Sequence, residues 1–184
     1  MSVGESVLLR LICFFSLLTF FVLFESFTLV SPSQKEAQVT VGSGFYYGGP
    51  RHSGTVFQLE YKAKKCFLRY FRPQVTLVIP EMQGVFLGAG VGIDFYLCDH
   101  LVFTPSFEPG LYYQGNSRNL GHPVEFRSAV ELAYENDSAL RLGAQFYHIS
   151  NASLGHHNPG ANALVFFLGF PLRSKHQHFS PKIH

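Results

Sequence analysis

A strict alternation of residue types between Val85 and Cys98 restricts the fold of this chain more than any other feature. Residues at odd positions are apolar, and residues at even positions are mostly small or polar. The odd set is Val85, Leu87, Ala89, Val91, Ile93, Phe95 and Leu97, and the even set is Phe86, Gly88, Gly90, Gly92, Asp94, Tyr96 and Cys98. Because successive side chains of a β-strand point to opposite faces, this pattern predicts a strand with one apolar face.

The same alternation recurs along most of the chain and predicts eight strands. They lie at about residues 38–47, 54–62, 66–79, 84–98, 101–113, 122–135, 138–150 and 162–172. Their connections alternate between tight turns, such as 99–100, and longer polar loops, such as 115–120. Short turns at one rim and longer loops at the other are typical of an outer-membrane barrel. The sequence therefore predicts an all-β fold, an eight-stranded antiparallel transmembrane β-barrel.

Composition favours the same fold. Only 14% of the 184 residues are charged and 16% are aromatic, whereas about a quarter are charged in a typical soluble domain. The alternative is a soluble periplasmic barrel that binds an apolar ligand. Most strand glycines lie on the polar face, as a narrow barrel interior requires, and aromatic residues lie near the ends of the apolar face. We therefore expect the apolar face to contact lipid. The net charge of +2 gives no reason to expect a nucleic-acid partner.

The N-terminal part of the chain has the features of an export signal. An uncharged run of 14 residues, Leu11–Phe24, lies between Arg10 and Glu25. A spanning helix needs about 20 apolar residues, so this run has the length of a signal-peptide core. We predict a signal peptide at 1–33, with its cleavage site left open, a barrel at 34–172 and a polar tail rich in His and Lys at 173–184. An uncleaved anchor is the alternative. The predicted location is the bacterial outer membrane.

One segment near the C-terminus combines residues suited to ester hydrolysis. It reads His148-Ile149-Ser150-Asn151-Ala152 and is followed by Asn158-Pro159-Gly160-Ala161-Asn162. His148 and Ser150 are two residues apart on a predicted strand, so they project from the same face, the lipid-facing one. A histidine beside a serine can accept the hydroxyl proton as the oxygen attacks an ester. Asn162 opens the lipid-facing series of the last strand, and the residues Asn158, Pro159 and Gly160 predict a tight turn before it.

This segment resembles the lipid A 3-O-deacylase family, the PagL-like outer-membrane esterases, in its His-x-Ser-Asn-Ala string and short loop. The resemblance implies that His148 is the general base and that Ser150 attacks the 3-O-linked acyl ester of lipid A. It implies Asn151 as an oxyanion donor, and lipopolysaccharide and outer-membrane lipids as partners. The family has a glutamate at the start of the last strand, where this chain has Asn162. An asparagine can orient a histidine through its side-chain oxygen but carries no charge.

Other interpretations remain open at this stage. Asn162 is compatible with a catalytically inactive outer-membrane barrel of structural or adhesive function, and a homodimer is also left open. No cofactor and no metal are expected, because the adjacent His156 and His157 lack the spacing of metal ligands. The predicted inward-facing polar residues are expected to fill the barrel rather than to perform acid–base chemistry. They are Asp94, Glu108, Glu125, Arg127, Glu131, Arg141 and Gln145.

The sequence also suggests a disulfide or a close pair of thiols at Cys66 and Cys98, with two unpaired small residues as the alternative. The predicted strands 66–79 and 84–98 form a hairpin, so the two cysteines would face each other at the short-turn rim with the same inward parity. A periplasm-facing rim is oxidising enough to keep such a bond.

Overall fold

The structure is a computed structural model that describes residues 28–29 and 36–172. The predicted polar tail and nearly all of the predicted signal peptide lie outside these residues. The strands are β1 (Thr28–Leu29), β2 (Ala37–Tyr47), β3 (Ser53–Lys62), β4 (Arg72–Pro80), β5 (Val85–Gly92), β6 (Phe95–Tyr96), β7 (Leu101–Tyr113), β8 (Val124–Glu135), β9 (Arg141–Ser150) and β10 (Ala161–Leu172). Within the described ranges, no helix is long and apolar enough to cross a membrane.

The eight long strands close into a barrel. Each pairs antiparallel with the next in the order β2, β3, β4, β5, β7, β8, β9 and β10, and β10 pairs with β2 to complete the ring. The short β6 lies beside β7 beyond the end of β5, and β1 pairs with β6. The predicted eight-stranded antiparallel barrel is confirmed. The loops at 48–52, 81–84, 114–123 and 151–160 lie together at one end of the barrel and form its long-loop rim.

The barrel interior is filled by paired charges and amides, as the sequence predicted. Lys62 Nζ lies 2.5 Å from Glu131 Oε2, and Arg127 Nη1 lies 2.9 Å from Glu108 Oε2. All of the inward polar residues named from the sequence are buried. Charges removed from water are tolerated when partners of opposite charge and further hydrogen bonds surround them. Most of this interior supplies both, although the buried carboxylate of Glu125 has no hydrogen-bond partner within the described residues. The interior of the described barrel is therefore a packed core.

The outer surface is apolar nearly from rim to rim. Large side chains point outward along the strands, and aromatic ones cluster near the rims, where Phe45 is 73% exposed and Tyr113 is 71% exposed. A continuous exposed apolar wall flanked by aromatic girdles is the surface of a transmembrane barrel.

Two features of the third and fourth barrel strands differ from the sequence prediction. β4 begins at Arg72 rather than at residue 66, because Leu68 and Arg69 have left-handed backbone conformations (φ 45° and 69°) that interrupt an extended strand. The chain at 67–71 instead folds back on itself through a bridge between Phe67 and Phe71. The predicted fourth strand is divided into β5 and β6. The break lies between Gly92, which pairs with Ser106, and Phe95, which pairs with Phe103. Pro105 lies opposite this break and has no N–H to donate to the ladder.

These differences also bear on the predicted disulfide. Cys66 and Cys98 are both free thiols, and the bond is not formed in this structure. The β4–β5 ladder ends at the pair Arg72 and Gly92, so it does not extend to the cysteines. Beyond that point β6 pairs with β1 on one side and with β7 on the other, so no described strand that carries Cys66 pairs with it.

Candidate active site

The candidate residues lie at the outer wall of the barrel, next to the long-loop rim. His148 and Ser150 are at the end of β9, and Asn162 is the second residue of β10. Their inward neighbours Tyr147, Ile149 and Ala161 are buried in the core. Because the alternation along each strand is fixed by this burial, the three polar side chains must point to the apolar outer face.

A direct hydrogen bond joins two of the three residues. Asn162 and His148 are opposite each other in the ladder between β9 and β10, and His148 Nδ1 lies 2.8 Å from Asn162 Oδ1. The amide oxygen can only accept, so Nδ1 carries the hydrogen in this arrangement. The other ring nitrogen, Nε2, is then the one that can accept a proton.

Ser150 is the next outward residue after His148 on β9. Two residues along a strand separate the Cα atoms by roughly 7 Å, a distance that serine and histidine side chains can bridge. Among the described residues, no side-chain hydrogen bond joins Ser150 to His148. Hydrogen bonds between catalytic groups are commonly long without a substrate and shorten when one binds. The structure thus brings Asn162 and His148 together and leaves Ser150 beside them.

Gly160 packs against the imidazole of His148, a contact that the sequence did not predict. Gly160 has φ +60°, and a Cβ built on it would lie 2.6 Å from His148 Cε1 and 3.1 Å from Nε2. A side chain here would collide with the ring and also occupy a strained backbone conformation. The only signal in the sequence was the Asn-Pro-Gly turn, which indicated a glycine conformation but not its neighbour.

Asn151 is buried and its side chain is fully engaged within the loops. Its Nδ2 donates to the carbonyl of Leu120 at 2.7 Å and to that of His157 at 2.9 Å. Its Oδ1 accepts from the backbone N–H of Ser153 at 2.9 Å. Asn151 thus ties the loop after Ser150 to the loop at 114–123. To donate to an oxyanion, its amide would have to exchange one of these two carbonyls.

The predicted turn residues hold the same loop. Asn158 Oδ1 accepts from the backbone N–H of Asn151 at 3.0 Å, so the start and the end of the loop are linked. Ala152 and Ser153, directly after this point, both have left-handed backbone conformations (φ 49° and 66°). Such conformations in residues other than glycine are costly and persist where the surroundings enforce them.

Comparisons with known proteins bear on the same region. Residues 81–171 match the family model described as "Lipid A 3-O-deacylase (PagL)", which confirms the resemblance inferred from the segment 148–162. A search of curated proteins found no match.

Two solved structures are similar in fold. A crystal structure of the outer membrane enzyme PagL aligns with a TM-score of 0.61 and 15% identity, over 73% of this chain and 99% of that chain. A structure from the de novo design of transmembrane β-barrels aligns with a TM-score of 0.53 and 12% identity, over 76% of this chain and 99% of that chain. At these identities the likeness establishes the barrel fold alone.

Proposed function

We propose that this chain is an outer-membrane esterase that hydrolyses the 3-O-linked acyl chain of lipid A. The observation that carries the proposal is the hydrogen bond of 2.8 Å between His148 Nδ1 and Asn162 Oδ1. It fixes a histidine with its second nitrogen free, two residues from a serine, on the face of the barrel that contacts lipid. The family match over residues 81–171 supports lipid A as the substrate class.

The chemistry follows that of serine esterases. Ser150 Oγ attacks the ester carbonyl carbon while His148 Nε2 takes the hydroxyl proton, forming a tetrahedral intermediate. The C–O bond to the sugar then breaks, and His148 returns the proton to the departing sugar oxygen. Water attacks the acyl-serine with the same proton relay, releasing the free fatty acid and restoring Ser150.

In this mechanism two asparagines position the reacting groups. Asn162 holds the histidine in one tautomer and stabilises its orientation without contributing a charge. Asn151 keeps the chain after Ser150 in place through its bonds to Leu120 and His157. If Asn151 is itself the oxyanion donor, substrate binding must replace one of these carbonyls with the ester oxygen.

The position of the site agrees with a substrate delivered by the membrane. His148 and Ser150 face outward just below the long-loop rim, where the headgroup region of a bilayer would meet the barrel. An acyl ester in the surrounding leaflet would reach the serine without leaving the lipid layer. A cleft that closes over a soluble substrate is not required.

The deciding experiment is mass spectrometry of lipid A from cells that express the chain and from cells that do not. We expect the loss of one 3-hydroxyacyl chain with the wild-type protein. Ser150→Ala and His148→Ala should each abolish that loss, while both variants keep the migration shift on heating that marks a folded barrel. Full release of the acyl chain by Ser150→Ala would refute the serine mechanism.

A catalytically silent structural or adhesive barrel is the second candidate, because Asn162 supplies no negative charge to the histidine. The same experiment separates the two functions. Unchanged lipid A in cells that contain folded wild-type protein would favour the silent barrel.

A further inference from the structure

A basic pocket opens at the long-loop rim beside the candidate active site. It has a volume of about 460 Å³ and is formed by three loops that are far apart in the sequence. This volume is within the usual range for small-molecule sites. Its lining comprises Gly48, Gly49, Pro50, Arg51, His52, Arg118, Asn119, His157 and Pro159.

The lining carries two arginines and two histidines but no carboxylate. Across the whole long-loop rim, Glu81 is the one acidic residue in the described chain. Its Oε2 accepts from the backbone N–H of Thr55 at 3.1 Å, and Glu81 is not among the residues that line the pocket. The positive charge of Arg51 and Arg118 therefore has no counter-charge within the pocket, and an anionic ligand would supply it.

The guanidinium of Arg118 is fixed by the backbone. Its Nη1 donates to the carbonyl of Gly48 at 2.6 Å. The guanidinium also lies against the backbone of Gly49, where a Cβ would be only 2.8 Å from Nη1. Gly49 has a φ of +108°, a conformation that favours glycine. One N–H of the guanidinium is used by this bond, and others remain available. A planar guanidinium held in this way is well suited to bind phosphate oxygens in pairs.

The pocket is connected to the residues proposed to act on the ester. Gly48 directly follows Tyr47, which is the ladder partner of Asn162 on β10. On the other side, the carbonyl of His157 accepts a hydrogen bond from Asn151, the residue after Ser150. A ligand that spans from the pocket to the outer wall would therefore present one end to the basic residues and the other to His148 and Ser150.

We propose that this pocket binds a phosphate group on the sugar headgroup of the glycolipid substrate, with Arg118 and Arg51 as its main ligands. The inference rests on the proposed function, since it assigns the headgroup end of the same substrate. Phosphate binding orients the headgroup above the rim, so that an acyl ester of the sugar lies at the outer wall. The pocket thus selects phosphorylated over dephosphorylated glycolipids.

The test measures binding in Ser150→Ala protein, in which catalysis cannot alter the ligand. Full-length barrel in uncharged detergent micelles is titrated with lipid A that carries its sugar phosphates and with the same lipid A after chemical dephosphorylation. We expect about 10-fold tighter binding of the phosphorylated form, the scale of a charge-assisted hydrogen bond or two. Introducing the second substitution Arg51→Gln into the Ser150→Ala protein should remove most of this preference for phosphorylated lipid A. The preference should also weaken as the salt concentration is raised.

Arg69→Gln is the matched control, because Arg69 is also an exposed arginine but lies at the opposite rim. It should leave the preference intact, and all variants must keep the heat-dependent gel shift of the folded barrel. A further titration adds inorganic phosphate. Displacement of the glycolipid by an equimolar amount of inorganic phosphate would identify a free-anion site and overturn the headgroup proposal. Retention of the glycolipid against a large excess would support it.

The results separate this proposal from the proposed esterase function. Equal binding of both lipid A forms by the Ser150→Ala protein, while the wild-type protein releases acyl chains in cells, would overturn the phosphate pocket alone. A clear preference of the Ser150→Ala protein for the phosphorylated form, while the wild-type protein releases no acyl chain in cells, would support the pocket and refute the esterase.

Discussion

At the scale of single residues, the candidate site depends on how one asparagine holds one histidine. The bond from His148 Nδ1 to Asn162 Oδ1 sets the tautomer of the ring but adds no negative charge. In the proposed mechanism the ring becomes positively charged as the serine loses its proton. A neutral amide stabilises that charge less than a carboxylate does.

Replacing Asn162 with an acid should therefore raise the rate of acyl release. Asn162→Asp keeps the shape of the side chain and its distance to the ring, and Asn162→Glu introduces the residue that the family resemblance implies at this position. We expect either to increase kcat by about 10- to 100-fold, equivalent to about 1–3 kcal/mol in the barrier. The measurement is the rate of 3-hydroxyacyl release from lipid A by purified protein in detergent.

Asn162→Ala is the control, and it should be slower than wild type because the ring loses its orienting partner. If the alanine and acidic variants all turn over at the wild-type rate, Asn162 has no part in the mechanism.

At the scale of elements, the loop between β9 and β10 keeps the site in shape. Asn158 accepts from the backbone of Asn151, and Asn151 in turn donates to Leu120 on another loop. The loop then ends in Gly160, whose backbone lies against the ring of His148. The loop therefore determines both where the chain goes after Ser150 and how much space the imidazole has.

Gly160→Ala should disturb the site without unfolding the barrel. The added Cβ would meet His148 Cε1 at 2.6 Å, and alanine disfavours φ +60°, so the ring or the turn must move. We expect acyl release to fall by at least about 10-fold, since displacements of about 1 Å cost up to 100-fold. Lipid A deacylation is measured beside the heat-dependent gel shift.

Gly54→Ala serves as the control, because Gly54 lies at the same rim but an added Cβ would meet only the flexible side chain of Glu81, at 3.1 Å, and not the imidazole. It should leave acyl release near the wild-type rate. Gly160→Ala with wild-type activity would show that the contact with His148 is unimportant for catalysis.

At the scale of the whole molecule, an interior of paired charges supports the barrel behind the site. Arg127 is fully buried and donates to Glu108 at 2.9 Å and to Gln58 at 3.2 Å, and it also bonds to Gln145. Its guanidinium carbon lies 4.5 Å from the ring centre of Tyr147, the inward neighbour of His148. The packing behind the strand that carries the candidate site thus depends on this arginine.

Arg127→Leu should destabilise the barrel strongly. It leaves the buried carboxylate of Glu108 without its cationic partner, and breaking a buried pair in this way costs about 3–5 kcal/mol. We expect the midpoint of urea unfolding, followed by the gel shift in lipid vesicles, to move to a clearly lower urea concentration. Arg69→Leu, which removes an exposed arginine, should change the midpoint little. An unchanged midpoint for Arg127→Leu would contradict the view that the interior pairs stabilise the fold.

The sequence by itself predicted most of the strands, their two faces and the segment proposed to hydrolyse the ester. These properties are local. A strand with one face toward lipid and the other toward the barrel interior needs apolar residues at every second position, and this alternation is visible in the sequence. The same parity predicted that His148, Ser150 and Asn162 face the lipid side. The match of residues 81–171 to the PagL family agrees with that segment.

Only the tertiary structure determined which residues from different strands and loops of the barrel contact one another. The family resemblance suggested Asn162 as the partner of His148. The 2.8 Å hydrogen bond itself, the contact of Gly160 with the imidazole and the basic pocket around Arg118 each join segments whose spacing the local pattern does not encode. The predicted ladder from Cys66 to Cys98 failed for the same reason, because left-handed residues at 68 and 69 and the competing strand β1 ended it early. Register and loop contacts depend on the closed barrel as a whole, since each strand is positioned by two neighbours that can be distant in the sequence.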